Sequence, residues 1–207
     1  MYELHRAIGH VLRSIEYPDT EVLLDSACGG EGKLIRLYGG GLAGGDSALA
    51  SVDAALVVNG EIRVVIEIEF SDVPPLYLCG KAFATALSNH HVRERARIPL
   101  ADRMMFIQVI QYINEQPQSG WGDKVRRKGK RTSKLPQYVY LEREINKLLQ
   151  DTRSRVRRYV FHYGFSESFA LGGRDARALK KDILDFLPLV RHFPMQDAKP
   201  ICELLAK

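Results

Sequence analysis

Two β-branched runs, Val52 to Val58 and Glu61 to Phe70, meet at Asn59-Gly60. Asn-Gly between such runs is the strongest short-range hairpin signal, because both turn residues must take positive φ. The chain is therefore committed to an antiparallel strand pair here, and that pair carries unusual residues. Val64-Val-Ile-Glu-Ile-Glu-Phe70 sets Glu67 and Glu69 inside an apolar run, and Asp53 sits near the start of the partner strand. Side chains alternate along a strand, so Glu67 and Glu69 share one face, opposite an apolar face of Ile62, Val64, Ile66 and Ile68. Two carboxylates about 7 Å apart on a half-buried strand repel and lose hydration unless a cation or donors offset the loss. A divalent ion answers this most simply. Mg²⁺ takes oxygen ligands, relies on one or two carboxylates and completes its octahedron with water and substrate phosphate. An exposed face with solvated acids is the alternative.

Whether Asp53 joins the two glutamates depends on the turn. A two-residue loop pairs 58 with 61 and 53 with 66, which sends Asp53 to the face opposite Glu67. A three-residue loop, Val58-Asn59-Gly60 with Gly60 left-handed, pairs 57 with 61 and puts 53, 65, 67 and 69 together. A bulge near Asp53 has the same effect. A metal site requires one of the last two.

A length of 207 residues favours a single core. Tyr2 to Ile15 spaces Leu4, Ala7, Ile8, Val11, Leu12 and Ile15 as an amphipathic helix that stops before Pro18. Leu34 to Tyr38 alternates like a first strand, and residues 39–47 form a Gly-rich loop. Pro74-Pro75 suits the opening turn of a helix over Leu76 to Ser88. Arg103 to Ile110 reads as a strand buried on both faces. Gln116 to Gln137 is a polar, basic excursion. Tyr138 to Gln150 follows as a helix, Val156 to Phe165 as a strand and Arg174 to Leu187 as a final helix. The expected fold is α/β of the α+β kind in one domain, residues 1–207. Its core spans residues 2–110, and a helix-strand-helix extension spans 138–207.

Asp53, thirteen intervening residues, then Glu67-Ile68-Glu69 at the end of a hairpin, with a helix and strand before and after, resembles the PD-(D/E)XK nuclease superfamily. Type II restriction endonucleases are the nearest likeness. The resemblance covers residues 2–110 and implies an αβββαβ core with a central mixed sheet flanked by helices. It implies that Asp53 and Glu67 hold Mg²⁺ against a phosphate oxygen of double-stranded DNA, giving a 5′-phosphate and a 3′-hydroxyl. Val52 stands where that family often has Pro, and Glu69 where its lysine is usual. Either Glu69 fills the lysine's place, as in some restriction enzymes, or the cation has moved to the following helix, where Lys81 is the candidate. Glu3 and Glu16 are candidates for the first-helix glutamate that some members add. A homodimer would supply one site per strand of a duplex. The alternative is a non-catalytic nucleic-acid-binding protein on the same fold, and a third reading is an unrelated metal-dependent hydrolase with a small phosphorylated or acidic substrate.

Net charge is +5, and its placement says more than its size. Lys124, Arg126, Arg127, Lys128, Lys130, Arg131 and Lys134 fall in one stretch without an acid, and these seven exceed the whole excess. Such a tract is expected to grip phosphates rather than read bases. Arg153, Arg155, Arg157 and Arg158 would extend it, with Gln137 and Asn146 as candidates for base contacts. Cys28, Cys79 and Cys202 lack Cys-x-x-Cys spacing, so free thiols are expected rather than disulfides or zinc. Gly29 to Lys33 lacks the spacing of a P-loop, and His90-His91 reads as a polar helix end. At 45% hydrophobic and 27% charged residues the chain is neither collagenous nor disordered. No apolar stretch reaches the roughly 18 to 20 residues of a membrane span. The opening Met-Tyr-Glu-Leu-His-Arg lacks the basic patch and apolar run of a secretory leader, so the expectation is a soluble cytoplasmic protein.

Overall fold

The computed structural model describes residues 3–32, 34–39, 48–70, 73–111, 134–151 and 154–190. Helix α1 (Glu3–Arg13) turns Leu4, Ile8, Val11 and Leu12 inward, as the spacing predicts. Strand β1 (Thr20–Leu24) follows. A Cβ at Gly9 would sit 2.1 Å from the Cys28 carbonyl oxygen, so glycine is what lets α1 approach the turn after β1.

Strand β1 pairs antiparallel with β4 (Ala54–Val58), and β4 antiparallel with β5 (Glu61–Phe70). Strand β5 runs parallel to the C-terminal half of β7 (Ala96–Gln111), whose other edge takes β8 (Val156–Gly164), also parallel. The N-terminal end of β7 pairs instead with β6 (His90–Arg93), and β2 (Ile35–Tyr38) and β3 (Ala48–Val52) continue from there, all antiparallel. Helices α1 and α4 (Arg174–Phe186) cover one face of the central strands, with Leu12, Leu179 and Ile183 in one cluster with Leu56, Ile66 and Ile107. Helices α2 (Pro75–Leu87) and α3 (Leu135–Asp151) cover the other, where Ala82, Ile145 and Leu149 join Ala55, Val65, Phe106 and Tyr159. The architecture is mixed α/β, a central mixed sheet flanked by helices. With parallel neighbours on both edges and helices on both faces, Met104 to Ile110 are all buried.

Three local expectations are corrected. The first strand of the central sheet is Thr20–Leu24, whose single deeply buried residue, Leu23, leaves it without a clear alternation in the sequence. The alternating segment at 34–38 pairs with β3 and β6 instead. His90 and His91 do not end a helix. They lie in β6, where His91 is buried and its Nδ1 donates to the Arg36 carbonyl at 2.8 Å. Among the described residues no helix is long and apolar enough to cross a membrane.

Strand β8 has no strand on its outer edge among the described residues, and α3 takes that place. Asn146 Oδ1 accepts from the Tyr159 N–H at 2.9 Å, and its Nδ2 donates to the Tyr159 carbonyl at 2.7 Å. Glu142 accepts from the Phe161 N–H at 3.3 Å. These are bonds a neighbouring strand would make, and they blunt an edge open to another chain. Asn146 is thus occupied with the sheet rather than with bases. Asn146→Ala is expected to cost roughly 2 kcal/mol, because both backbone groups of Tyr159 lose their partners. Urea unfolding reads this directly, and an unchanged midpoint would contradict it.

Helix α4 is tied to β8 through Asp182, which accepts from Arg158 at 2.9 Å and lies 3.3 Å from His162 Nε2. The contact with His162 and the Arg158 charge hold the Asp182 carboxyl below the usual aspartate range. The folded state therefore binds fewer protons than the unfolded one in the acid range. The contribution is complete above the ordinary aspartate value and is lost as pH falls through the depressed one. Asp182→Asn should lower stability at pH 7 by about 1 kcal/mol or less, since the pair is partly exposed, and should leave it unchanged near pH 2. Denaturation midpoints at the two pH values test this.

Candidate active site

Asn59 has φ of 53° and Gly60 φ of 78°, so the hairpin closes through the two-residue turn that needs positive φ at both positions. Val58 pairs with Glu61 and Val57 with Ile62, but Leu56 pairs with Val64. One extra residue on β5 thus bulges out at the far end of the turn. The shift moves Ile62 to the face of Val57 and Val65, not the face of Val64, Ile66 and Ile68 where strict alternation puts it. It also sets Ala54 opposite Ile66, so that Asp53, the next residue, meets β5 beside Glu67, and the pair share a hydrogen bond. Without the bulge Asp53 would face the other way.

Asp53 is the bend where the chain leaves β3 and enters β4, so the expected continuous strand over 52–58 is broken at the residue that matters. Its backbone is fixed on two sides. The Asp53 N–H donates to the Ile66 carbonyl at 3.2 Å, and the Asp53 carbonyl accepts from the Asp25 N–H at 2.9 Å. Its side chain turns back onto β5, where Oδ2 accepts from the Ile68 N–H at 2.7 Å. Glu67 is only 3% exposed, and its Oε1 accepts from Lys81 Nζ at 2.8 Å. Lys81 reaches it because α2 turns Leu78, Ala82 and Thr85 inward and Lys81 lies on the same side of the helix. Its ammonium also lies 5.5 Å from the Tyr77 ring centroid and 3.5 Å from the Ser51 carbonyl oxygen. Glu69, half-buried on the same face as Glu67, feels the charges of Lys81 and Asp53.

Burial raises the carboxyl of Asp53, against the pull of the Ile68 N–H and of its hydrogen bond with Glu67. Burial and the neighbouring Asp53 push Glu67 well above the usual glutamate range, with Lys81 opposing. Two touching carboxyls out of water repel one another when both are ionised, and the single ammonium of Lys81, bonded to Glu67, offsets only part of this. Glu69 is raised chiefly by burial. Burial alone would lower Lys81, but the charge and hydrogen bond of Glu67 outweigh it and raise it. Such a pair accepts either a proton or a cation in its place.

The sequence-predicted Asp53, Glu67, Glu69 and Lys81 all come together. Glu3 and Glu16 do not. Both are exposed, and α1 contributes buried His5 instead, whose charge favours ionised Asp53. Among the described residues no group of three His, Cys, Asp or Glu side chains is placed to hold a metal ion. A two-carboxylate site fits Mg²⁺, which fills its remaining positions with water and phosphate, and does not fit a closed zinc cage.

Gln108 joins the site without having been singled out by the sequence pattern. It is the register partner of Glu67 on the parallel neighbour β7, fully buried, with Oε1 accepting from the Tyr159 hydroxyl and Nε2 without a partner among the described residues. An amide in the middle of Met104-Met-Phe-Ile-Gln-Val-Ile110 is the available signal.

Lys124, Arg126, Arg127, Lys128, Lys130 and Arg131 lie outside the described residues, as does Arg153. Lys134 is described, and its Nζ lies 3.5 Å from the Val73 carbonyl oxygen. Of the second arginine cluster, Arg155 donates to the Leu100 carbonyl at 3.1 Å and Arg158 to Asp182, so both are engaged within the fold. Cys28 is a buried free thiol, raised by burial and by Asp25, and Cys79 is half-buried and free. Comparison of the chain with protein-family models, curated proteins and solved structures finds no match.

Proposed function

We propose that the chain is a Mg²⁺-dependent endonuclease that hydrolyses phosphodiester bonds of double-stranded DNA, on a core like that of type II restriction endonucleases. One observation carries the reading. A bulge in β5 sets Asp53 beside Glu67, and the following helix delivers Lys81 to Glu67. The order of α1, the antiparallel β1, β4 and β5, then α2 and the parallel β7 supports it, since this is the αβββαβ order the resemblance implies.

Asp53 and Glu67 would hold the ion, which would polarise a phosphate oxygen and lower the pKa of a bound water. Asp53 is preorganised for this by the Ile68 N–H, which fixes the carboxylate and favours its ionised form against burial. Lys81 answers the usual family lysine from α2, neutralising negative charge that grows on the phosphate. Glu69 lies at the outer end of the same face. Its raised carboxyl is the better proton acceptor for water at neutral pH. Water adds to phosphorus, its proton passes to Glu69, and the 3′-oxygen leaves with a proton from solvent. A homodimer would place a second, symmetric site on the opposite strand.

The rival is a binding protein that no longer cuts, favoured by the Glu67–Lys81 pair, which already supplies the buried carboxyl with a cation. Incubating a plasmid with the protein in Mg²⁺ and in EDTA separates the two. Cutting with Mg²⁺ alone is expected. Salt-sensitive retention of the DNA without cutting would favour the rival, and neither effect would remove both.

A further inference from the structure

The strands beyond β7 present a surface whose members are scattered along the sequence. Arg36 pairs with Ser51, Leu37 with His91, Tyr38 with His90 and Val92 with Arg97. Directly opposed residues of antiparallel strands share a face, so Ser51, Arg36, Val92 and Arg97 form one row across four strands. Tyr38, His90 and Pro99 form the next. The opposite face is the packed one, with Ile35, Leu37, Ala50, Val52 and His91 all buried. On the outward face Arg36, Ser51, Val92, Arg97 and Pro99 are exposed.

This face is positive and braced from within the fold. No Asp or Glu occupies its strand positions, and neither Arg36 nor Arg97 has an ion-pair partner among the described residues. The buried His91 clamps the backbone at Arg36. Tyr38 and His90 stack with ring centroids 5.7 Å apart, and Arg97 lies close enough for its charge to act on His90. The face also runs into the site. Ser51 is two residues from Asp53, and its carbonyl oxygen is 3.5 Å from Lys81 Nζ.

We propose that this face is a track for the DNA backbone, on which Arg36 and Arg97 take phosphates on either side of Val92 and lead the strand to Asp53 and Glu67. The proposal rests on the nuclease reading of that site and names the surface that presents its substrate. Two exposed guanidiniums separated by two strand spacings, roughly 10 Å, suit a repeating anion. A protein partner would instead need apolar anchors at the centre of the patch, and Val92, at 40% exposed, is the one aliphatic side chain between the arginines.

The test is Arg36→Gln with Arg97→Gln, and separately Arg97→Glu, in the full chain. Binding to two 30-base-pair duplexes of unrelated sequence is followed by anisotropy in EDTA, from about 50 to 200 mM salt. The double variant is expected to bind both duplexes more weakly, with the slope of log K against log salt shallower by about 2. Arg97→Glu should weaken binding further, and Arg6→Gln, an exposed arginine on α1, should change neither quantity. In Mg²⁺ the double variant should raise KM and keep kcat. An unchanged slope at an unchanged melting temperature overturns the proposal, as does a wild-type protein that binds no duplex or prefers an RNA of equal length. Salt-dependent binding that the arginine variants weaken, with no cutting by the wild type, would sink the nuclease reading and leave the track standing.

Discussion

Asp53→Asn and Glu67→Gln are each expected to abolish Mg²⁺-dependent cleavage and yet to raise the melting temperature of the protein in EDTA. The two carboxyls are buried against one another, and both are pushed above their ordinary ranges. At neutral pH that arrangement opposes folding, since the unfolded chain ionises them freely in water. Replacing either by its amide removes the repulsion and keeps the shape. In the Asp53→Asn variant the side-chain amide oxygen can still accept from the Ile68 N–H. A cation, in contrast, loses half of its protein ligands. The loss of rate should therefore exceed the roughly 10- to 100-fold that removal of a supporting outer-sphere group costs. DNA affinity should survive, because the phosphate contacts lie elsewhere. Carboxyls kept for structure would give the reverse, a lower melting temperature and little change in cutting. Parallel melting curves and cleavage time courses separate the two.

Lys81→Met should reduce kcat by on the order of 10²- to 10³-fold, the usual cost of removing one donor aimed at developing charge. Glu69→Gln should cost less than Lys81→Met if α2 supplies the cation that the proposed reaction needs. The reasoning is geometric. Lys81 touches Glu67 at 2.8 Å from within the fold, whereas Glu69 meets the site only through its charge. Lys81→Arg should recover part of the activity, because it restores the charge but not the compact ammonium. If instead Glu69→Gln is inactive and Lys81→Met cuts normally, the acid at 69 occupies the lysine's place and Lys81 serves only to balance Glu67.

The hairpin, α1, α2, the buried run of β7 and α4 are all legible in the sequence, because each is fixed by local periodicity or by turn chemistry. What is not legible depends on pairing between distant segments. Asn59 and Gly60 announce the turn, but nothing in Glu61-Ile-Arg-Val64 announces that one residue bulges, and on that bulge the face of Asp53 depends. Of the three alternatives the sequence leaves open, a two-residue loop, a three-residue loop and a bulge near Asp53, the structure combines the first with a bulge that lies near the turn instead. The turn has two residues, and the register is corrected farther along the strand. Strand β1 escapes notice because it lies at the end of the sheet, where a single residue is deeply buried. Arg36 and Arg97 are far apart in sequence, and no charge count could join them before the strand order was known. Lys81 is visible as a candidate, but its contact with Glu67 requires knowing which side of α2 faces the sheet.

Soaking crystals in Mn²⁺ and recording anomalous scattering tests the central claim most directly, since Mn²⁺ takes the same oxygen ligands as Mg²⁺. The expected result is a single strong peak between the carboxylates of Asp53 and Glu67, with Lys81 Nζ drawn away from Glu67 Oε1. Absence of a peak there, with the Lys81–Glu67 pair intact in saturating metal, would contradict it.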